Sequence, residues 1–136
     1  VLDDTAATTE ENESMDSVNR KHAIFIHADG IGRGDEALGQ KLMVKFLKEL
    51  AEMDTAVLPG FICLMNAGVK LACESATHDA ETVTHLKALD GKGAQILCCG
   101  TCIEFFKLRE KVSVGVISNM CDISTVLVNA EKVLTV

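Results

Sequence analysis

The chain alternates short, continuous apolar runs with longer stretches in which apolar residues recur every three or four positions. The first run, His22-Ala23-Ile24-Phe25-Ile26-His27-Ala28, is rich in strand formers and ends at Asp29-Gly30. A turn, Gly30-Ile31-Gly32-Arg33-Gly34, leads to Asp35, which is suited to cap a helix. Leu38, Leu42, Phe46, Leu47, Leu50 and Met53 then fall on one face, and this predicts an amphipathic helix over 35–53. Pro59 opens a second strand, Phe61-Ile62-Cys63-Leu64-Met65, closed by Asn66-Ala67-Gly68. The apolar stretch 69–73 is too short to assign. A helix is expected from about 78 to 89, stopped by Gly91-Lys92-Gly93, and a third strand over 94–98. A short helix over about 102–110, a fourth strand over 112–116, a helix over 121–129 and a last strand over 132–136 complete the pattern.

Strands that are uninterrupted apolar runs, alternating with helices, imply an α/β fold: a mostly parallel sheet of about five strands between helical layers, three layers in all. In such sheets the ligand crevice lies beyond the carboxyl ends of the strands. The glycine turn, the 66–70 loop, the 98–102 turn and the 118–120 loop are therefore expected to share one rim.

Charge divides the chain differently. Residues 1–20 hold six acids (Asp3, Asp4, Glu10, Glu11, Glu13, Asp16) against Arg20 alone, and read as a disordered acidic tail or linker. Residues 21–136 form the expected domain and are nearly balanced, with 14 acids against 12 bases. No basic stripe exists to track phosphates, and five Phe with no Trp or Tyr leave little for base stacking, so nucleic acid is not an expected partner. No apolar stretch has the length of a membrane span, and no signal pattern opens the chain, so a cytoplasmic protein without a membrane partner is expected.

In a reducing compartment six cysteines are better read as buried or reactive thiols than as a disulfide framework. Cys98, Cys99 and Cys102 gather half of them into five residues. A thiol at a helix start feels unsatisfied backbone N–H groups that favour thiolate, so the tetrad Cys99-Gly100-Thr101-Cys102 is expected to hold a low-pKa nucleophile. Cys102, where the helix is expected to begin, is the expected carrier, with Cys99 as the neighbouring thiol. Cys98, Cys63, Cys73 and Cys121 are expected to pack in the core. Zinc wants four N or S ligands. No second cysteine pair has ligand spacing, and His22, His27, His78 and His85 are scattered, so neither metal nor cofactor is expected.

Gly32, Gly34 and Ala37 formally match a dinucleotide loop. However, Asp35 and Glu36 put negative charge where a pyrophosphate would sit, and Asn66 stands where a ribose-binding acid belongs, so a tight turn is the better reading. Arg33 and Lys70 on rim loops are suited to attract an anionic donor. Gly32, Gly34, Asn66, Gly68, Gly100, Thr101, Asn119 and Met120 complete the expected substrate contacts.

Gly32-Arg33-Gly34-Asp35 with Leu38-Gly39, Asn66-Ala67-Gly68-Val69-Lys70-Leu71, Cys99-Gly100-Thr101-Cys102 and Asn119-Met120 appear in that order over residues 22–136. Together these blocks resemble the DsrE-like sulfur-relay family, in particular the carboxyl-terminal domain of YedF-type selenium-metabolism proteins. Ala67 and Cys121 depart from the pattern, where Ser and Tyr would be expected. The resemblance implies a three-layer α/β fold, homo-oligomeric assembly, and a cysteine just after the third strand that carries sulfur or selenium as a persulfide-type intermediate. It also implies donor and acceptor proteins as partners, among them a TusA-like domain of the kind that precedes this one in such relatives, with the acidic stretch as linker. The expected function is a sulfur or selenium carrier or transferase. Its rivals are a non-covalent small-anion or nucleotide module at the glycine loop, and a dithiol redox module cycling Cys99 and Cys102.

Overall fold

A computed structural model describes residues 17–74 and 80–136. In chain order the elements are β1 (Asn19–Ile26), α1 (Glu36–Ala51), a 3-10 turn (Thr55–Val57), β2 (Pro59–Leu64) and a 3-10 segment (Asn66–Ala72). Then come α2 (Ala80–Gly91), β3 (Gln95–Cys99), α3 (Gly100–Phe105), a 3-10 turn (Arg109–Lys111), β4 (Val116–Ser118), α4 (Met120–Asn129) and β5 (Lys132–Thr135). The five strands form one sheet in the order β4-β3-β2-β1-β5, and every pairing is parallel.

Topology distributes the helices. The steps β1 to β2, β2 to β3 and β3 to β4 all move the same way along the sheet, so right-handed crossovers put α1, α2 and α3 on one face. The step from β4 to β5 runs back from one edge to the other, which carries α4 across the opposite face, over β3 and β1. Register aligns Ile24, Ile62 and Ile96 across the three central strands, and with Ile26 and Leu64 they form the buried face beneath α1–α3. Each such side chain contributes about 1.5–3 kcal/mol on burial. The alternate row, Phe25, Cys63 and Leu97, faces the α4 side, where Ile123 is fully buried.

Several sequence expectations shift. β1 begins at Asn19, so Asn19 and Arg20 belong to the sheet; the rest of the acidic stretch up to Asp16 lies outside the described residues, as does the expected start of α2 at His78. The unassigned stretch 69–73 falls mostly in the 3-10 segment. The fourth strand lies over Val116–Ser118 and not over 112–116. Gly115 takes φ +81, a turn conformation that strand residues do not adopt, and a side chain there would strike the Ile96 carbonyl, so regular pairing starts only after it. Upstream, Val112 makes an isolated antiparallel bridge with Cys73. The short helix starts at Gly100 instead of Cys102 and ends at Phe105. No described helix is long and apolar enough to cross a membrane.

Candidate functional site

β3 passes into α3 with no loop between them. Cys99 is both the last residue of the strand and the N-cap of the helix, Gly100 and Thr101 follow, and Cys102 is the third helical residue. Gly100 permits this abrupt passage: a Cβ there would lie 2.7 Å from the Ser118 carbonyl oxygen at the end of β4. The helix start is thereby pressed against the neighbouring strand.

One helical turn separates the Cys99 and Cys102 side chains, and their environments diverge. Cys99 is 1% exposed; Cys102 is partly exposed. The backbone N–H of Asn66 donates to Cys102 Sγ at 3.0 Å. Asn66 sits just past the end of β2 with φ +52, a left-handed conformation that Asn tolerates better than most residues, and this bend leaves its N–H free to meet a sulfur on another element. Cys102 is thus held over the junction of β2 and β3.

The expected low pKa is not found. Burial pushes the Cys102 thiol above its ordinary value, the Asn66 N–H pulls it back in part, and the adjacent Cys99 thiol pushes it further up. The earlier start of α3 removes the expected cause, because Cys102 is inside the first turn with its sulfur against Asn66 and Cys99. Proximity to a helix start favours thiolate only when the sulfur stays solvated; here desolvation is the larger effect.

The 3-10 segment places Lys70 one turn beyond Asn66, and its Nζ stands 4.4 Å from the centroid of the Phe106 ring. Phe106 is the C-cap of α3, four residues after Cys102, so segment and helix are clamped together beside the thiol. Gly68 serves the same approach: a Cβ there would collide with the Ile26 carbonyl oxygen at the end of β1. The Asn119 side chain is committed to its own helix, accepting from the Asp122 N–H at 2.7 Å as the N-cap of α4, and Met120 beside it is exposed.

Asn66, Cys99, Gly100, Thr101 and Cys102 therefore meet in one place, with Lys70 behind and Ser118 and Asn119 alongside. Gly32, Arg33 and Gly34 do not join them. Gly32 and Arg33 line a separate open groove of about 280 Å³ against the start of α1, whose other walls include Asp29, Asp35 and Glu36. Cys63, Cys73 and Cys98 are buried, whereas Cys121, expected in the core, is exposed on the first turn of α4. Among the described residues no group of three or more His, Cys, Asp or Glu is placed to hold a metal ion. Phe106 and the backbone N–H of Asn66 were not found by sequence reading. Both roles are contacts between segments far apart in the chain, and only the tolerance of Asn for a left-handed turn hinted at the second.

These features define an α/β domain with a thiol at the carboxyl edge of a parallel five-stranded sheet. Its fold is similar to that of the YchN protein from E. coli: 20% identity, 85% of this chain and 99% of that chain covered, TM-score 0.61. A conserved protein of unknown function from Bacteroides thetaiotaomicron, BT1422, is also similar, at 16% identity over 85% of this chain and 95% of that one, TM-score 0.58. No protein-family model and no curated protein sequence matches the chain.

Proposed function

We propose that the domain carries sulfur, or selenium, on Cys102 and passes it to a partner protein, as a DsrE-like relay module related to the YedF type. The observation that carries this reading is the Cys102 sulfur: reachable from solvent, and held at 3.0 Å by a backbone N–H from a different element. The Cys102 thiolate attacks the outer sulfur of a donor persulfide; the new S–S bond forms on Cys102 as the donor's S–S bond breaks and the donor leaves as thiolate. In the second half the acceptor thiolate attacks that outer sulfur, and Cys102 leaves as thiolate. The Asn66 N–H stabilises the negative charge on Sγ at the start of the first step and the end of the second. The raised pKa keeps the resting sulfur protonated and makes it a stronger nucleophile once ionised.

The glycine-loop groove offers three carboxylates for one guanidinium, the wrong sign for a phosphate or other small anion. The partners are a persulfide-bearing donor and a thiol acceptor, in the cytoplasm, whose reducing pool suits a chain with six free cysteines. A second copy of the chain would cover α4 and the sheet beside it, where Met120 and Val128 of the helix and Val116 and Val133 of the edge strands are exposed.

Intact-protein mass spectrometry after brief incubation with glutathione persulfide tests the transfer. Wild type gains the mass of one sulfur atom and Cys102→Ser gains none. Equal loading of Cys102→Ser, or no loading of wild type, overturns the proposal.

A further inference from the structure

The buried partner of Cys102 has no use in a simple relay. Cys99 is 1% exposed, so no donor or acceptor protein reaches it. It lies one helical turn from Cys102 at the start of α3, a separation at which side chains i and i+3 are neighbours and which lies within the reach of a disulfide. The two thiols are close enough to influence each other's ionisation. Cys99 is buried and Cys102 partly exposed, so a cargo sulfur on Cys102 Sγ must sit toward solvent, away from the core that holds Cys99.

Resting on the relay reading, we infer that Cys99 is a resolving thiol that discharges an unclaimed cargo as sulfide, so that a loaded site with no acceptor converts itself to a Cys99–Cys102 disulfide. Displacement at sulfur runs in line with the bond that breaks. A nucleophile behind Sγ and a cargo atom in front of it meet that requirement, and attack falls on the inner sulfur, not the outer one. The Cys99 thiol loses its proton and its sulfur bonds to Cys102 Sγ. The bond from Sγ to the outer sulfur breaks, and that sulfur leaves as hydrogen sulfide with the bonding pair. The cargo sulfur is reduced as the Cys99 sulfur is oxidised, the Cys102 sulfur exchanging one S–S bond for another, so the step needs no outside oxidant. Return to the dithiol requires an external thiol or dithiol reductant, which reaches the bond at the partly exposed Cys102.

The two contacts on Cys102 then set the outcome. The Asn66 N–H favours Cys102 as a leaving thiolate and hence transfer to an acceptor, whereas Cys99 favours loss of the cargo. With selenium in place of the outer sulfur, the same displacement releases hydrogen selenide.

The test loads wild type, Cys99→Ala, Cys99→Ser and Cys102→Ser with glutathione persulfide, desalts them, and follows sulfide release and intact mass without any acceptor. Wild type is expected to release one sulfide per loaded chain and to end two hydrogens lighter than the reduced protein, with peptide mapping joining Cys99 to Cys102. In the two Cys99 variants, checked for folding by circular dichroism, the added sulfur is expected to persist at least about tenfold longer, because an intramolecular nucleophile has been removed. Equal lifetimes in wild type and both variants, or sulfide release without the disulfide, overturn the inference and leave the relay reading standing. Failure of Cys102 to load at all overturns both.

Discussion

Two of the turns that lead from a strand into a helix at the carboxyl edge of the sheet end in opposite chemical states. After β1, nine residues intervene before α1, and Asp35 caps the helix by accepting the Leu38 N–H at 2.8 Å. Its glycines close the turn against the helix: the Ile31 N–H donates to the Gly39 carbonyl, and Gly30 packs on the same backbone. Polar groups there satisfy one another. After β3 there is no intervening residue and no side-chain cap, and the sulfur of the first helical turn takes its hydrogen bond from Asn66 of another segment. A turn that satisfies itself locally is scaffold, whereas one completed from elsewhere in the fold holds a group ready for chemistry.

Backbone crowding offers the largest test of that contrast. Gly68, in the segment that presents Asn66, has no room for a Cβ beneath the Ile26 carbonyl, while nothing lies within 4 Å of a Cβ on Gly34 in the glycine turn. Gly68→Ala is expected to cost about 2–4 kcal/mol in urea unfolding, and Gly34→Ala less than about 0.5 kcal/mol. Two equal costs would mean that the two edges are packed alike.

Burial of thiols separates the regions next. Desolvation pushes Cys98, one residue before the site, up to about 12, and Cys63 on the neighbouring strand up to about 11, from 9.0. The folded protein therefore keeps protons that the unfolded chain sheds above pH 9.0, and stability, full below that value, declines as pH rises toward 12. Each such thiol contributes a slope of about 1.4 kcal/mol per pH unit within its window. Cys98→Ala is expected to make the decline shallower by about that amount in urea melts between about pH 9.5 and about pH 11; the cavity it leaves shifts every melt equally and does not alter the slope. An unchanged slope would show that the strand beneath the thiols is not sealed from water.

The legibility of the sequence follows the same division. Central strands announce themselves because burial on both faces demands continuous apolar runs, as in Ile24–Ile26 and Ile62–Leu64, and α1 announces itself through Asp35 and its apolar spacing. The expected fourth strand falls too early because Val112-Ser113-Val114 alternates like a strand, whereas Gly115 with positive φ marks where pairing can begin. Position of the thiols at the rim could be read, but their ionisation could not. It depends on Asn66 lying 36 residues from Cys102 in sequence, and on how much water the fold leaves around the sulfur.

The two rim cations give the smallest and most discriminating effect. Lys70 rests on the Phe106 ring at 4.4 Å, while Arg33 stands exposed in the glycine turn. Lys70→Met removes a cation–π contact worth about 0.5–1 kcal/mol at such a site but retains most of the apolar stem that covers the ring, whereas Arg33→Met is expected to change stability by less than about 0.5 kcal/mol. Persulfide loading extends the comparison to function. Without the ammonium the 3-10 segment is held less firmly to the end of α3, Asn66 meets Cys102 Sγ less often, and loading slows about twofold, the rate equivalent of roughly 0.4 kcal/mol. Arg33→Met leaves loading unchanged if the glycine turn is scaffold alone. A slower rate in Arg33→Met than in Lys70→Met would show that the anionic donor is met at the glycine turn, and that its groove shares the chemistry of the edge.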